Sequence, residues 1–244
     1  MRFSIITVSL NAQDLIADTI NSVLNQTFTD FEIIVKDGCS KDATLTNIPK
    51  DERIRVIVKE DKGIYQAMNQ GIAEAKGDYL LFLNCGDSLY DNTVLQKAAD
   101  ALEGEGACIL YGNRYSEDLG VVSYPEKIKK SYLYYSTICH QASFIARELF
   151  DTVALYDETF KIASDWKFFV MAKCKNVKYV YCNETICQFL SGGVSETEKG
   201  IAIAEKERAS VIAEYYSVLE RAYARLLSSR FAKFLIGIKH KILD

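Results

Sequence analysis

Short runs of apolar, β-branched residues alternate with segments of helical apolar spacing along the first hundred residues. This pattern predicts strands at residues 3–8, 31–35, 54–58 and 78–83, and a helix at 65–75. A further helix is expected after Asn11, because five apolar side chains share one face there: Leu15, Ile16, Ile20, Val23 and Leu24. The order of these elements predicts an α/β protein with a mostly parallel, Rossmann-like sheet covered by helices.

The second half of the chain continues with shorter elements and ends in a helical region. Helices are predicted at residues 92–102, 147–153 and 166–173, and strands at 109–111, 121–123, 141–145 and 177–181. From about residue 197 the sequence becomes helical and amphipathic. We therefore expect one α/β domain over residues 1–195 and a helical tail over residues 196–244.

Composition narrows the class of protein further. The 244 residues are 49% hydrophobic and 25% charged, which is typical of a folded globular domain. The net charge of −4, without a basic and aromatic run, argues against a nucleic-acid partner. The seven cysteines form no C-x-x-C pair, which argues against a disulfide framework or a zinc site. Because the chain shows neither a signal peptide nor an apolar run of roughly 20 residues, we expect a cytoplasmic protein.

The predicted strand ending near residue 83 runs into Asn84-Cys85-Gly86-Asp87. In open α/β sheets the ligand crevice lies at the carboxyl ends of the strands. A carboxylate there suits Mg²⁺ or Mn²⁺, provided that a ligand such as a diphosphate supplies further oxygens. The alternative is that Asp87 simply ends the strand in a turn.

Two earlier turns carry further candidates. Asp37, at the end of a strand, is either an acceptor for a nucleobase N–H or ribose hydroxyl, or part of a plain Asp-Gly turn. Lys62, at a helix entrance, is either a phosphate-neutralising cation or part of an ordinary helix start. Tyr65 and Asn69 lie one turn apart on the same face of that helix.

Two later positions complete the set. His140 is either a hydrogen-bonded structural residue, a nitrogen ligand beside Asp87, or a donor to a leaving diphosphate. Asp165 stands at the entrance of an apolar helix, where the pattern favours a helix N-cap over a general base. In the second case the adjacent Trp166 would form a wall for a sugar ring.

Together, and in this order, these segments resemble the family 2 inverting glycosyltransferases with the GT-A fold, over roughly residues 1–190. Thr7-Val8-Ser9-Leu10-Asn11-Ala12 looks like the opening strand and loop of that family. Asp37-Gly38-Cys39-Ser40-Lys41-Asp42 is similar to its D-G-G-S-x-D uridine-binding turn, with Cys39 in a glycine's place. Residues 61–71, DKGIYQAMNQG, match the D-K-G-I-Y-D-A-M-N-K-G variant of bacterial polysaccharide transferases.

The resemblance implies transfer of a hexose from a nucleotide sugar, expected to be a UDP-sugar, to a glycan or lipid-linked acceptor in surface polysaccharide biosynthesis. It divides the domain into a nucleotide-binding half at 1–98 and an acceptor half at 99–195. It implies nucleotide-sugar contacts at Thr7, Val8, Ser9, Asp37, Lys62, Tyr65, Asn69, Asn84, Cys85 and Gly86. It further implies Asp165 as catalytic base, Asp87 and His140 as ligands of Mg²⁺ or Mn²⁺, and Trp166 and Gln141 as acceptor or sugar contacts. Asn84 and Gly86 stand where many relatives carry Asp, which predicts a weakened metal site.

Other functions are weighed against this one. A nucleotidyltransferase shares the sheet and the metal chemistry, but it would need a glycine-rich basic loop where residues 9–13 read SLNAQ. A non-catalytic nucleotide-sugar-binding protein is favoured by the thinned metal motif, and turnover of UDP-sugars would separate it from an enzyme. An NAD-dependent Rossmann protein is disfavoured because no G-x-G-x-x-G follows the first strand.

The end of the tail has its own pattern. From Arg221 onward the sequence contains six Lys or Arg residues and one acidic residue, Asp244. The apolar side chains that share a helical face there are Phe231, Phe234, Leu235, Ile238 and Ile242. Two interpretations stay open: a peripheral contact with the inner face of the cytoplasmic membrane, or packing on the catalytic domain or on a second copy in a homodimer.

Overall fold

The computed structural model describes residues 1–227. Its strands are β1 (Phe3–Ser9), β2 (Phe31–Asp37), β3 (Ile54–Val58), β4 (Tyr79–Phe82), β5 (Ser88–Leu89), β6 (Cys108–Ser116), β7 (Gly120–Val122), β8 (Ser143–Ala146) and β9 (Lys178–Gln188). Its helices are α1 (Ile16–Leu24), α2 (Ile64–Glu74), α3 (Val94–Ala101), α4 (Lys130–Tyr135), α5 (Leu149–Thr152), α6 (Ser164–Cys174) and α7 (Glu198–Tyr215). Short 3₁₀ turns lie at Leu45–Asn47, His140–Ala142 and Val194–Glu196, and residues 218–227 are helical again.

The strands form one mixed sheet in the order β3-β2-β1-β4-β8-β6-β9-β5, with β7 paired to β6. The first four strands of this order are parallel: β1 lies between β2 and β4, and β3 extends the sheet beyond β2. The long β6–β9 pair is also parallel. The α/β class and the mostly parallel sheet are thus as the sequence predicts.

β8 joins the two parts of the sheet. It runs antiparallel to β4 on one side and to β6 on the other. Residues before and after position 98 therefore share one continuous layer of hydrogen-bonded strands. This insertion places the 3₁₀ turn His140–Ala142, which leads directly into β8, close to the carboxyl end of β4.

The central strands are buried, as helices on a parallel sheet require. Phe3, Ile5 and Ile6 of β1 are all fully buried. α2 approaches β1 so closely that a Cβ on Gly71 would lie 2.6 Å from Ile6 Cγ2. This close contact explains a glycine in the middle of α2, where its low helix propensity otherwise weakens the helix.

α1 begins at Ile16 rather than soon after Asn11. Asn11 has φ of 50°, its backbone N–H donates to Ser40 Oγ, and its side-chain carbonyl accepts from the Lys41 N–H. These contacts fasten the segment to the turn after β2, so it cannot be helical. Leu15 is accordingly 39% exposed rather than part of the buried helix face.

Among the helices and strands, β5 and α4 were not predicted. β5 pairs with Gln188 and Cys187 of β9, and its two residues are too few to show a periodic pattern.

The last long helix, α7, begins one residue after Thr197. Thr197 Oγ1 accepts a hydrogen bond from the Gly200 N–H and caps the helix.

The amphipathic pattern over residues 231–242 lies outside the described residues, so its predicted membrane or subunit contact stays a prediction. Within residues 1–227, no helix combines the length and apolar character needed to span a bilayer.

Candidate active site

The turn after β2 is held by its own carboxylate. Asp37 is fully buried, its Oδ1 accepts from the Ser40 N–H at 2.7 Å, and its Oδ2 accepts from Ser40 Oγ at 2.6 Å. Ser9 Oγ, at the end of β1, also donates to Oδ2 at 2.9 Å. Cys39 has φ of 67°, a left-handed conformation that favours glycine and costs a β-carbon residue about 1 kcal/mol. The ends of β1 and β2 are therefore joined around one acid.

The neighbouring charged turn contains a buried ion pair that the sequence analysis missed. Lys36 is fully buried in β2, and its Nζ lies 2.5 Å from Asp61 Oδ2. A lysine directly after the apolar run Ile33-Ile34-Val35 of β2 was the available signal. Lys62, by contrast, is exposed, and its backbone N–H is bound by Gln66 Oε1 at 2.8 Å. Within residues 1–227 its ammonium group forms no ion pair, and its expected contact with a phosphate stays a prediction.

Asn69, expected to contact the nucleotide sugar, is hydrogen-bonded within the protein. It is 8% exposed, its Nδ2 donates to the Tyr156 carbonyl and to Glu158 Oε1, and its Oδ1 accepts from the Tyr156 N–H. α2 turns this face toward the segment at 156–158, and the expected contact of Asn69 with the nucleotide sugar stays a prediction. Tyr65, one turn earlier, is 5% exposed and also faces the protein.

The end of β1 contacts the segment that follows β4. The expected nucleotide-sugar contacts in this region are Thr7, Val8, Cys85 and Gly86. Cys85 Sγ lies 3.5 Å from the Val8 carbonyl oxygen, and the Gly86 N–H donates to Thr19 Oγ1 at 2.9 Å. Thr7 Oγ1 is buried, with no hydrogen-bond partner in the part of the chain that the structure describes. Gly86 has φ of 98°, a backbone conformation that residues with a side chain rarely adopt.

Asp87 is almost completely buried, at 4% exposure. Its Oδ1 accepts from the Leu190 N–H at 2.9 Å, and its Oδ2 accepts from Gln141 Nε2 at 2.9 Å. Burial raises the pKa of this carboxyl, while these two hydrogen bonds oppose the rise. Gln141 is itself 5% exposed and is hydrogen-bonded to Asp87 and Cys139, so it supports Asp87. Its expected acceptor contact stays a prediction.

The residues around Asp87 suit a cation only in part. Within residues 1–227, no group of three or more His, Cys, Asp or Glu side chains lies close enough to hold a metal ion. Asn84 Oδ1, three residues before Asp87, is a buried oxygen without a hydrogen-bond partner in the same range. One carboxylate and one amide oxygen fit an ion that takes its other ligands from substrate phosphates and water. They do not form a site that the protein completes alone.

His140 joins the strand-end segment to Asp165. Its Nδ1 lies 2.9 Å from Asp165 Oδ2, and its Nε2 lies 3.2 Å from Asn84 Nδ2. Tyr65 Oη donates to Asp165 Oδ1 at 3.0 Å. In the neutral ring Nε2 accepts from the Asn84 amide and the Nδ1–H donates to Asp165, so both ring nitrogens have partners. The expected metal ligation by His140 stays a prediction.

The pair of His140 and Asp165 keeps the carboxylate charged. Burial by itself would raise the pKa of Asp165, but the hydrogen bond and the charge of His140 outweigh it and lower that pKa. Burial likewise acts to lower the pKa of His140, but Asp165 outweighs it and raises that pKa. Asp165 is thus an ionised carboxylate at neutral pH, with a side chain 15% exposed.

The sequence pattern favoured an N-cap role for Asp165, and this is not what the structure contains. The N-cap of α6 is Ala163. Asp165 lies in the first turn of the helix, and its carboxylate is hydrogen-bonded to His140 and Tyr65. Trp166 is 2% exposed, and its indole N–H donates to the Leu133 carbonyl at 2.8 Å. Trp166 thus packs in the core, and its expected role as a wall for a sugar ring stays a prediction.

Solved structures identify the class of protein that this fold defines. One similar structure is S. aureus TarS 1–349 in complex with UDP-GlcNAc, with a TM-score of 0.71 and 19% identity, covering 92% of this chain and 69% of that 1–349 chain. Another is the mannosyltransferase PcManGT from Pyrobaculum calidifontis in complex with GDP-Man and Mn²⁺, with a TM-score of 0.62 and 15% identity, covering 96% of this chain and 80% of PcManGT. The fold is that of the GT-A glycosyltransferases.

Sequence comparison supplies the family. The model of the family described as Glycosyl transferase family 2 matches residues 4–162. A PGL/p-HBAD biosynthesis glycosyltransferase of Mycobacterium bovis (strain BCG / Pasteur 1173P2) is 36% identical over 172 residues, which cover 68% of this chain and 67% of the relative. The putative teichuronic acid biosynthesis glycosyltransferase TuaG of Bacillus subtilis (strain 168) is 40% identical over 89 residues, 34% of this chain and 35% of TuaG. The chain belongs to glycosyl transferase family 2.

The resemblance carried by the motifs and the enzyme class are thereby confirmed. A family 2 glycosyltransferase is not a nucleotidyltransferase, so that alternative is set aside. The family match ends three residues before Asp165.

Proposed function

We propose that this glycosyltransferase transfers a sugar from a UDP-sugar to a glycan or lipid-linked acceptor, with inversion at the anomeric carbon. The observation that carries the proposal is the ionised Asp165, paired with His140 at 2.9 Å and linked through it to Asn84 at the end of β4. A carboxylate held in this way beside a nucleotide-binding crevice is suited to act as a general base. The names of relatives that act in glycolipid or teichuronic acid biosynthesis support a role in making a surface glycan or glycolipid.

The donor is proposed to bind along the carboxyl ends of β1, β2 and β4. The turn held by Asp37 and Ser9 would receive the nucleoside, with Thr7 Oγ1 and Val8 lining it, and exposed Lys62 would meet the phosphates. Complexes of TarS with UDP-GlcNAc and of PcManGT with GDP-Man support a nucleotide sugar as donor.

Asp87 is the proposed protein ligand for Mg²⁺ or Mn²⁺, with Asn84 Oδ1 as a second oxygen. To bind a cation, Asp87 would have to release Gln141 or Leu190, or share an oxygen with one of them. The cation would neutralise charge on the leaving diphosphate. The Mn²⁺ bound to PcManGT supports this assignment.

In the proposed reaction, Asp165 accepts the proton of the acceptor hydroxyl. The acceptor oxygen forms a bond to the anomeric carbon as the bond from that carbon to the diphosphate oxygen breaks, and UDP leaves from the opposite face. His140 keeps Asp165 ionised and oriented, and Tyr65 fixes its other oxygen. A positioned base of this kind contributes about 100-fold to 10,000-fold to the rate.

A panel of donors tests the proposal. UDP-glucose, UDP-galactose, UDP-GlcNAc and GDP-mannose are each incubated with the full chain, with Mn²⁺ or with a chelator, and release of the nucleoside diphosphate is measured. We expect UDP release from at least one UDP-sugar, faster with Mn²⁺. UDP-sugars that bind without any release would favour the non-catalytic alternative, and turnover of GDP-mannose alone would contradict the UDP assignment.

A further inference from the structure

Glu207, in α7, binds the backbone of the loop that leads into α6. Its Oε1 accepts from the Lys161 N–H at 2.6 Å, and its Oε2 accepts from the N–H groups of Ile162 at 3.1 Å and Ala163 at 2.9 Å. Hydrogen bonds to a charged acceptor are about twice as strong as those between neutral groups. One carboxylate therefore fastens three consecutive amides of this loop to α7.

This loop is connected directly to Asp165, which follows it by two residues. Tyr65 Oη lies 2.5 Å from the Ile162 carbonyl oxygen and 3.0 Å from Asp165 Oδ1, so the two acceptors share its one proton. The loop backbone and the carboxylate thus share one hydroxyl group. A shift of the loop would move Asp165 relative to both Tyr65 and His140.

The next residue of α7, Arg208, packs against the residue that follows Asp165. The Arg208 guanidinium carbon lies 4.4 Å from the centre of the Trp166 ring, and Trp166 directly follows Asp165. Electrostatic attraction also links Arg208 to Asp165. α7 therefore holds the backbone before Asp165 and the side chain after it.

We propose that Glu207 is a positioning residue for Asp165, and that α7 is part of the active site rather than an appendage to the domain. This inference rests on the proposed role of Asp165 as the base. A displacement of about 1 Å in a reacting group can cost about 100-fold in rate. Because the Glu207 contacts act on the side of the base, their loss lowers kcat while the KM for the donor stays unchanged.

The test compares Glu207→Gln with Glu205→Gln, which removes an exposed carboxylate from the same helix. Gln keeps the shape of the side chain but presents an amide donor where two loop N–H groups need an acceptor. Using the UDP-sugar that the wild type turns over, we expect Glu207→Gln to lower kcat by about tenfold or more and to keep the donor KM within about twofold. Glu205→Gln should match the wild type. Rates are measured well below the unfolding midpoint of each variant.

Combination with Asp165→Asn separates positioning from stability. If Glu207 acts through Asp165, Glu207→Gln should not lower the residual rate of Asp165→Asn any further. A wild-type kcat in Glu207→Gln would overturn the proposal even if the unfolding midpoint falls, as would a tenfold loss that persists in the Asp165→Asn background.

The two proposals fail in different ways. If Asp165→Asn is inactive and Glu207→Gln is fully active, the role of Asp165 as base is supported and the positioning role of Glu207 is excluded. A fully active Asp165→Asn removes the base, and the positioning role is lost with it.

Discussion

At the scale of single residues, the pair of His140 and Asp165 matters most for the charge and the stability of the candidate site. The two side chains are 16% and 15% exposed, so water screens their interaction only weakly. Each shifts the pKa of the other toward the charged form. Removal of either partner would leave a largely buried group without its counterpart, which is costly in proteins.

The stability of this pair should depend on pH in a defined direction. Because the pKa of folded His140 is raised, its contribution is fully present below the unfolded value of about 6.5 and is lost as pH rises through the folded value. Because the pKa of folded Asp165 is lowered, its contribution is present above about 3.9 and is lost as pH falls through the folded value. We expect His140→Gln to cost roughly 3 kcal/mol of unfolding free energy between about pH 4 and pH 6.5, and less at higher pH.

Urea unfolding of the wild type and His140→Gln across this pH range measures the effect. His240→Gln, which removes the other histidine of the chain, serves as control. A stability difference that is constant with pH, or that grows above neutrality, would show that the pair is not held by charge.

Sequence alone singled out Asp87 and Asp165 but not the side chains that bind them. Asp87 and Asp165 stand out because each follows an apolar run or opens one. Gln141 and Leu190 lie 54 and 103 residues from Asp87, and no local pattern reports such distant contacts. His140 was expected to bind a metal for the same reason, since only the folded chain shows where its nitrogens point.

At the scale of elements, the junction before β4 depends on a glycine. Gly77 lies against β1, where a Cβ would stand 2.5 Å from Ser4 N and 2.6 Å from the Phe3 carbonyl carbon. Both are backbone atoms of a buried strand and cannot move aside like the end of a flexible side chain. The Gly77 N–H also donates to Ser4 Oγ at 2.8 Å.

Gly77→Ala should therefore destabilise the protein by about 2 kcal/mol, because an overpacked methyl group forces β1 and the entrance to β4 apart. Gly106→Ala is the matched control, since a Cβ there meets nothing within 4 Å, and its effect should stay within about 0.5 kcal/mol. Urea denaturation midpoints give both values. Equal midpoints for the two variants would contradict this account of the junction.

The sequence predicted helices and strands correctly where their apolar periodicity was clear. It did not predict features that depend on contacts between elements. All strands and helices predicted within residues 1–227 are present, with shifted ends. The docking of α7 beside α6 was not foreseen, because Glu207 reads as one more surface acid on an amphipathic helix. Only the N–H groups of residues 161–163 give it a role.

At the scale of the whole molecule, one turn connects the two sides of the site. In the 3₁₀ turn His140–Ala142, Gln141 holds Asp87 and its neighbour His140 holds Asp165. This turn leads into β8, which joins β4 to β6 in the continuous sheet. The proposed cation side and the proposed base side are thus set relative to each other by the strand insertion that the sequence could not reveal.

The central claim is that Asp165 is the base of a nucleotide-sugar-dependent transfer, and its replacement by Asn tests this most directly. Asn keeps the size of the side chain and an oxygen that can accept from His140 or Tyr65, so folding and donor binding should persist. Asp151→Asn, which changes an exposed acid on α5, serves as control.

The measurement is kcat for UDP release from the UDP-sugar that the wild type turns over, together with the donor Kd by calorimetry. We predict that Asp165→Asn lowers kcat by about 100-fold or more and leaves the donor Kd within about twofold of the wild type. A kcat equal to that of the wild type and of Asp151→Asn would contradict the account.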